Sequence, residues 1–171
     1  MDTNTRALEL AKALKRIERF NRVDYYDPYP YQQKFHKTGS EANQRLLMAA
    51  NRIGKSYSGA AEMSYHLTGL YPKWWEGRRY DKPITAWAGG VSNETTRDIV
   101  QYELLGSPDD PDAFGSGAIP KSKIIKTERK PGVPNAKSVA LIQHVSGGNS
   151  SLHFKAYEMG VDKWQGRSVD C

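Results

Sequence analysis

Apolar residues recur at helical spacing near the start of the chain. Leu10, Leu14 and Ile17 stand at i, i+4 and i+7, with Lys12, Lys15, Arg16 and Arg19 on the other faces. The spacing predicts a helix over residues 6–21. It reads either as a surface helix docked on the domain or as a basic arm that touches DNA or a neighbouring subunit. The next stretch, Asp24 to Tyr31 (DYYDPYPY), is rich in Pro and Tyr. A proline disfavours helix at the residue before it, so no helix is expected there.

Arg45 to Ala50 (RLLMAA) is an apolar run of strand length, and Leu46 to Ala50 is expected as a central strand. From Gly54 to Leu70 the pattern turns helical and stops at Gly69 and Pro72, as helices do. Ile84 to Ala88 predicts a second buried strand, closed by Gly89 and Gly90. Ser92 and Asn93 are good caps for a helix over Glu94 to Leu105. Residues 106–118 form an acidic Gly/Pro-rich loop, and Lys121 to Lys137 a basic segment whose prolines and glycine predict a flexible loop. Val139 to Val145 and Ser151 to Tyr157 read as two strands of a hairpin turning at Ser146-Gly147-Gly148-Asn149. Strand, loop, helix, strand, helix implies an α/β fold with a parallel sheet and helices on its faces.

The 171 residues suffice for one domain with a core. A mean hydropathy of -0.71 and the lack of any run near the roughly 18 apolar residues of a membrane span exclude a membrane class. The N-terminus has no secretory-signal pattern, and Cys171, alone, can form no internal disulfide, which fits a reducing compartment. The net charge of +6 favours polyanionic partners without naming one. His36, His66, His144 and His153 show no metal-ligand spacing. Lys121 to Lys137 could track phosphates, and Arg97 is a candidate for coupling a ligand at the second strand's end to a distant partner; both are equally at home in solvent.

The strongest chemical signal is Ala49-Ala50-Asn51-Arg52-Ile53-Gly54-Lys55-Ser56, with Tyr57 following. It resembles G-x-x-x-x-G-K-[ST], a phosphate loop between strand and helix, with Ala49 in place of the first glycine. Loop N–H groups from Asn51 to Tyr57 would form an anion nest at the helix start. Gly54 allows close backbone approach, Lys55 reaches the outer phosphates and Ser56 offers a hydroxyl to Mg²⁺. Arg52 could face the outer phosphates and stabilise transition-state charge, point to solvent, or contact a neighbouring subunit.

At this point the chain resembles the large terminase subunits of tailed bacteriophages. The resemblance runs from about Tyr29 onward. Tyr29-Pro30-Tyr31-Gln32-Gln33 looks like that family's adenine-reading glutamine motif, with Gln32 the analogue and Gln33 the alternative register. Ala50 to Pro72 is similar to the branch in which Ala-Asn-x-x-Gly-Lys-Ser replaces the glycine-rich loop. Trp87 to Thr95 and Lys155-Ala156-Tyr157…Trp164-Gln165-Gly166 are similar to further segments of that branch. The resemblance implies a P-loop NTPase fold, three-layer with a mostly parallel sheet. Residues 1–28 would be a helical arm and 29–171 the N-terminal part of the ATPase domain. It implies an ATP-driven motor that moves double-stranded DNA into a procapsid, with ATP and Mg²⁺ as cofactors and Lys55 and Arg52 as catalytic groups. Implied partners are the portal protein, the small terminase subunit and further copies in a ring, in the host cytoplasm.

In the family an apolar strand ending in Asp-Glu follows the Trp-Gln-Gly segment. Asp170, preceded by one apolar residue, is not read as that acid, so residues 1–171 are expected to be a piece lacking the acidic pair and the nuclease domain, and inactive alone. Another P-loop translocase or helicase, or a non-enzymatic nucleotide- or DNA-binding fragment, are the alternatives.

Overall fold

The fold is seen in a computed structural model that describes residues 3–165 and 168–171. Helix α1 (Thr3–Phe20) leads through a 3-10 turn, Arg22–Tyr25, to α2 (Pro30–Lys37). The Pro/Tyr-rich stretch is therefore partly helical, contrary to expectation. Pro30 opens α2, where its missing N–H and fixed φ cost nothing. Helix α3 (Lys55–Thr68) follows, capped at both ends by left-handed glycines, Gly54 and Gly69. Strand β1 (Thr85–Gly90) then enters a helix of three parts: α4 (Asn93–Thr95), a π-helical stretch (Thr96–Gln101) and α5 (Tyr102–Leu105). The Ser92 side chain caps it by accepting from the Thr95 N–H.

The sheet is completed by β2 (Ile124–Arg129), β3 (Lys137–Gln143) and β4 (Asn149–Ala156), in the order β1-β4-β3-β2. It is mixed. β1 runs parallel to β4, but β4–β3 and β3–β2 are antiparallel. This corrects the mostly parallel sheet of the sequence reading. Short connections between β2, β3 and β4 can only join antiparallel neighbours, whereas the parallel β1–β4 pair uses the long crossover between them. The basic segment is a second correction. Ile124, Ile125 and Thr127 give its middle the branched residues of a strand, and residues 124–129 form the sheet edge, where Lys126 and Arg129 discourage further pairing, while 130–136 with their prolines and glycine stay outside any strand.

One sheet face supplies Ala86, Ala140, Ile142, Leu152 and Phe154 to the main core, covered by Ala60 and Leu67 of α3 and by Leu104 and Leu105 of α5. On the other face, Trp87 packs against Trp164, their ring centroids 5.6 Å apart. Helix α3 and the helix after β1 thus cover one face. A second cluster, Val23, Tyr26, Ala61, Tyr65 and Trp75, packs on the opposite side of α3.

The largest departure concerns the expected central strand. Residues 44–50 belong to no strand, and Leu46 and Met48 are 80% and 81% exposed. The outer edge of β1 is taken by the C-terminal residues instead: Trp87 N–H donates to the Cys171 carbonyl (2.8 Å) and Asp170 N–H to that of Thr85 (2.8 Å). An apolar run alone does not bury itself: it also needs a partner strand, and residues 44–50 pair with none among the described residues.

Candidate phosphate site at the start of helix α3

Gly54 opens the site. Its φ of +81° is a conformation that glycine adopts without a Cβ penalty, and no side chain caps the helix it precedes. The first helical amides, those of Lys55, Ser56 and Tyr57, have no intrahelical acceptor, and the first bond of the ladder runs from Ser58 N–H to the Gly54 carbonyl (2.9 Å). Those amides and the helix dipole favour an anion. Arg52 also has a positive φ, +61°, and is exposed, as is Asn51.

The Lys55 amine folds back over the loop, donating to the carbonyls of Ala49 (2.6 Å) and Ala50 (2.5 Å). An ammonium has three donors, so one remains for an anion. Ser56 is exposed on the rim of a cavity of ≈ 260 Å³ between α3, β1 and α5, lined also by Met63, Ala88, Gly89, Val100 and Glu103. Ile53 meets α2 through its carbonyl, which accepts from the Tyr31 hydroxyl. Tyr57 turns its side chain away: its hydroxyl donates to the Arg22 carbonyl (3.0 Å), and the Arg22 guanidinium lies 4.1 Å from its ring centroid. Only the backbone of Tyr57 belongs to the loop.

Gln32 and Gln33 part company. Gln32 is 2% exposed and reaches the loop, its Nε2 donating to the Gly54 carbonyl (3.3 Å) while its Oε1 accepts from the Tyr29 N–H (2.8 Å). Gln33 is exposed and lines a different hollow with Lys37, Trp74 and Glu76. Tyr29 and Tyr31 stack beside the loop, 5.9 Å between centroids.

Behind the loop lies a polar cluster that the sequence reading passed over. The Glu62 carboxylate, on a residue 6% exposed, accepts from Arg45 Nη2 (2.5 Å) and from His36 Nδ1 (2.7 Å), with His66 Nε2 at 3.4 Å. His36 Nε2 faces the hydroxyls of Tyr26 (3.1 Å) and Ser58 (3.2 Å). Burial raises the Glu62 pKa, but hydrogen bonds from His36, His66 and Arg45, and the Arg45 charge, outweigh it and hold the carboxyl well below the usual carboxylate range. Burial pushes the Tyr26 phenol up to about 12, so it remains a donor. The signal was present in the spacing: Gln32 and His36 are four apart, as are Gly54, Ser58 and Glu62.

The other candidates fall elsewhere. Arg97 is tied to Asp98 (2.6 Å) and to the Pro134 carbonyl (3.2 Å). Asp170 spends its Oδ2 on the Thr85 N–H (2.9 Å). Among the described residues no three His, Cys, Asp or Glu side chains could hold a metal together. The two segments around Trp87 and Tyr157…Trp164 meet in space, Tyr157 stacking on Trp164 at 4.9 Å; Gly166 lies outside the described residues.

Residues 46–171 match the family model described as terminase large subunit, T4likevirus-type, N-terminal. The chain is 35% identical to the terminase large subunit of Salmonella phage P22 over 182 aligned positions, covering 95% of this chain and 36% of that protein. It thus spans about a third of the length of this relative. No solved structure matches.

Proposed function

Because the chain belongs to the large terminase subunit family, we propose that it is the nucleotide-binding front of a motor that hydrolyses ATP to drive double-stranded DNA into a procapsid. The observation that carries this is the start of α3, led by Gly54 and without a side-chain cap, with Lys55 and Ser56 in its first turn. A triphosphate fits there: the open amides and the Lys55 amine supply donors, and the exposed Arg52 can swing toward the outer phosphates. The exposed Ser56 hydroxyl suits one ligand position of Mg²⁺, the phosphates themselves supplying others. When bound, the metal would neutralise phosphate charge.

Gln32 is read as the adenine contact; it keeps one amide N–H and one carbonyl lone pair beyond the bonds it makes. The match to terminases does not favour the helicase alternative. DNA, the portal protein, the small subunit and sister copies in a ring are proposed partners, in the host cytoplasm. No helix among the described residues is long and apolar enough to cross a membrane.

The test is steady-state phosphate release by the full-length protein. Lys55→Ala is expected to lower it by about three orders of magnitude or more, since phosphoryl transfer rests on positioned charge. Gln32→Ala is expected to raise KM for ATP more than it lowers kcat. Turnover that survives Lys55→Ala would refute the site.

A further inference from the structure

Among the described residues the segment leading into the proposed phosphate loop pairs with no strand, and side chains tie it to the helices instead. Residues 44–50 are unpaired and largely exposed, apart from half-buried Arg45 and Leu47. Arg45 points inward. Its guanidinium donates to Glu62 on α3 through Nη2 (2.5 Å) and to the Phe35 carbonyl on α2 through Nη1 (2.9 Å), and lies 4.7 Å from the Phe35 ring centroid. Gly39 makes room for it: a Cβ there would sit 3.0 Å from the guanidinium carbon.

Helices α2 and α3 are joined by the same cluster in matched steps of one turn. Gln32 meets Gly54, and His36, one turn on, meets Ser58 and Glu62, one and two turns beyond Gly54. With Glu62 ionised, His36 donates from Nδ1 and accepts at Nε2 from Tyr26 or Ser58, so both ring nitrogens have a partner of the right sense. Glu62 is where the three pieces converge: the approach segment through Arg45, α2 through His36, and α3 as its own helix.

We propose that Glu62 is a positioning residue for the phosphate loop, fixing the approach segment and α2 to α3. It touches no ligand and acts through Arg45 and His36. This rests on reading residues 51–56 as a phosphate site. A buried pair of this kind is a poor source of stability compared with apolar packing, but it fixes geometry, because a carboxylate and a guanidinium tolerate few arrangements.

The experiment is amide hydrogen exchange on the full-length protein, paired with MgATP affinity, for Glu62→Gln and Arg45→Lys. Glutamine keeps the shape but loses the charge that holds both donors, and lysine cannot bridge Glu62 and the Phe35 carbonyl at once. The expected result is exchange faster by about tenfold or more over residues 30–37 and 44–58, with β1, β3 and β4 unchanged. MgATP should bind roughly fivefold or more weakly, as a less preorganised site does. Unchanged exchange over 44–58, or acceleration spread evenly through the sheet as a general loss of stability gives, would overturn the proposal. Should Glu62→Gln fail to fold, the milder Arg45→Lys decides by the same pattern. A failure of the phosphate reading is separate: Lys55→Ala would leave MgATP affinity unaltered, and the exchange pattern would still judge Glu62.

Discussion

Arg52 holds a φ of +61°, a left-handed conformation in which an L side chain is strained. Its side chain is exposed, so packing does not account for the strain, which fits a role outside the packing. Two substitutions separate backbone from side chain. Arg52→Gly removes both strain and charge, and Arg52→Ala only the charge, so the glycine variant is expected to be more stable than the alanine variant by about 1 kcal/mol in urea unfolding, with equally impaired turnover. Glu62 gives a second expectation at this scale. Arg45, His36 and His66 face it and depress its folded pKa. A depressed acid contributes stability that is full above its unfolded pKa, about 4.3, and is lost as pH falls below that toward the folded value. Glu62→Gln should therefore flatten stability against pH below about pH 5, read from urea midpoints.

Among the elements, the sequence spoke most clearly where a local rule suffices. Helix α3 announces itself by glycines at both ends, the helix after β1 by its Ser92 cap, and the β3–β4 hairpin by the Ser-Gly-Gly-Asn turn. Tertiary competition was illegible. Nothing in RLLMAA tells that the edge of β1 is occupied by residues 170–171, and nothing in IIKTER alone shows that β3 leaves an edge to be filled. The loop residues were likewise visible as a motif, whereas the Glu62 cluster depends on how α2 lies on α3. The misread strand yields a direct check. Leu46→Ser and Met48→Ser should change stability by no more than about 0.5 kcal/mol, as exposed substitutions do. Truncation in a buried central strand would cost about 2–5 kcal/mol. Chemical denaturation of the two variants distinguishes the cases.

At the scale of the molecule, α3 is shared between two cores. It gives Ala60 and Leu67 to the one on the sheet and Ala61 and Tyr65 to the aromatic one behind it. The phosphate loop at its start therefore sits where both cores end, and the loop-facing polar ladder runs along the seam. The four tryptophans divide between these regions: Trp74 and Trp75 belong to the aromatic core, Trp87 and Trp164 to the far side of the sheet. Nature has in effect placed a pair of fluorophores in each half. If α3 welds the halves, tryptophan emission and far-ultraviolet dichroism of the chain trace one sigmoid on heating, with a common midpoint. Replacing Trp74 and Trp75 by phenylalanine would leave emission from the sheet-side pair alone, and its curve should superimpose on the dichroism of the same variant. Two resolved midpoints would mean that the aromatic half lets go of α3 while the sheet still stands.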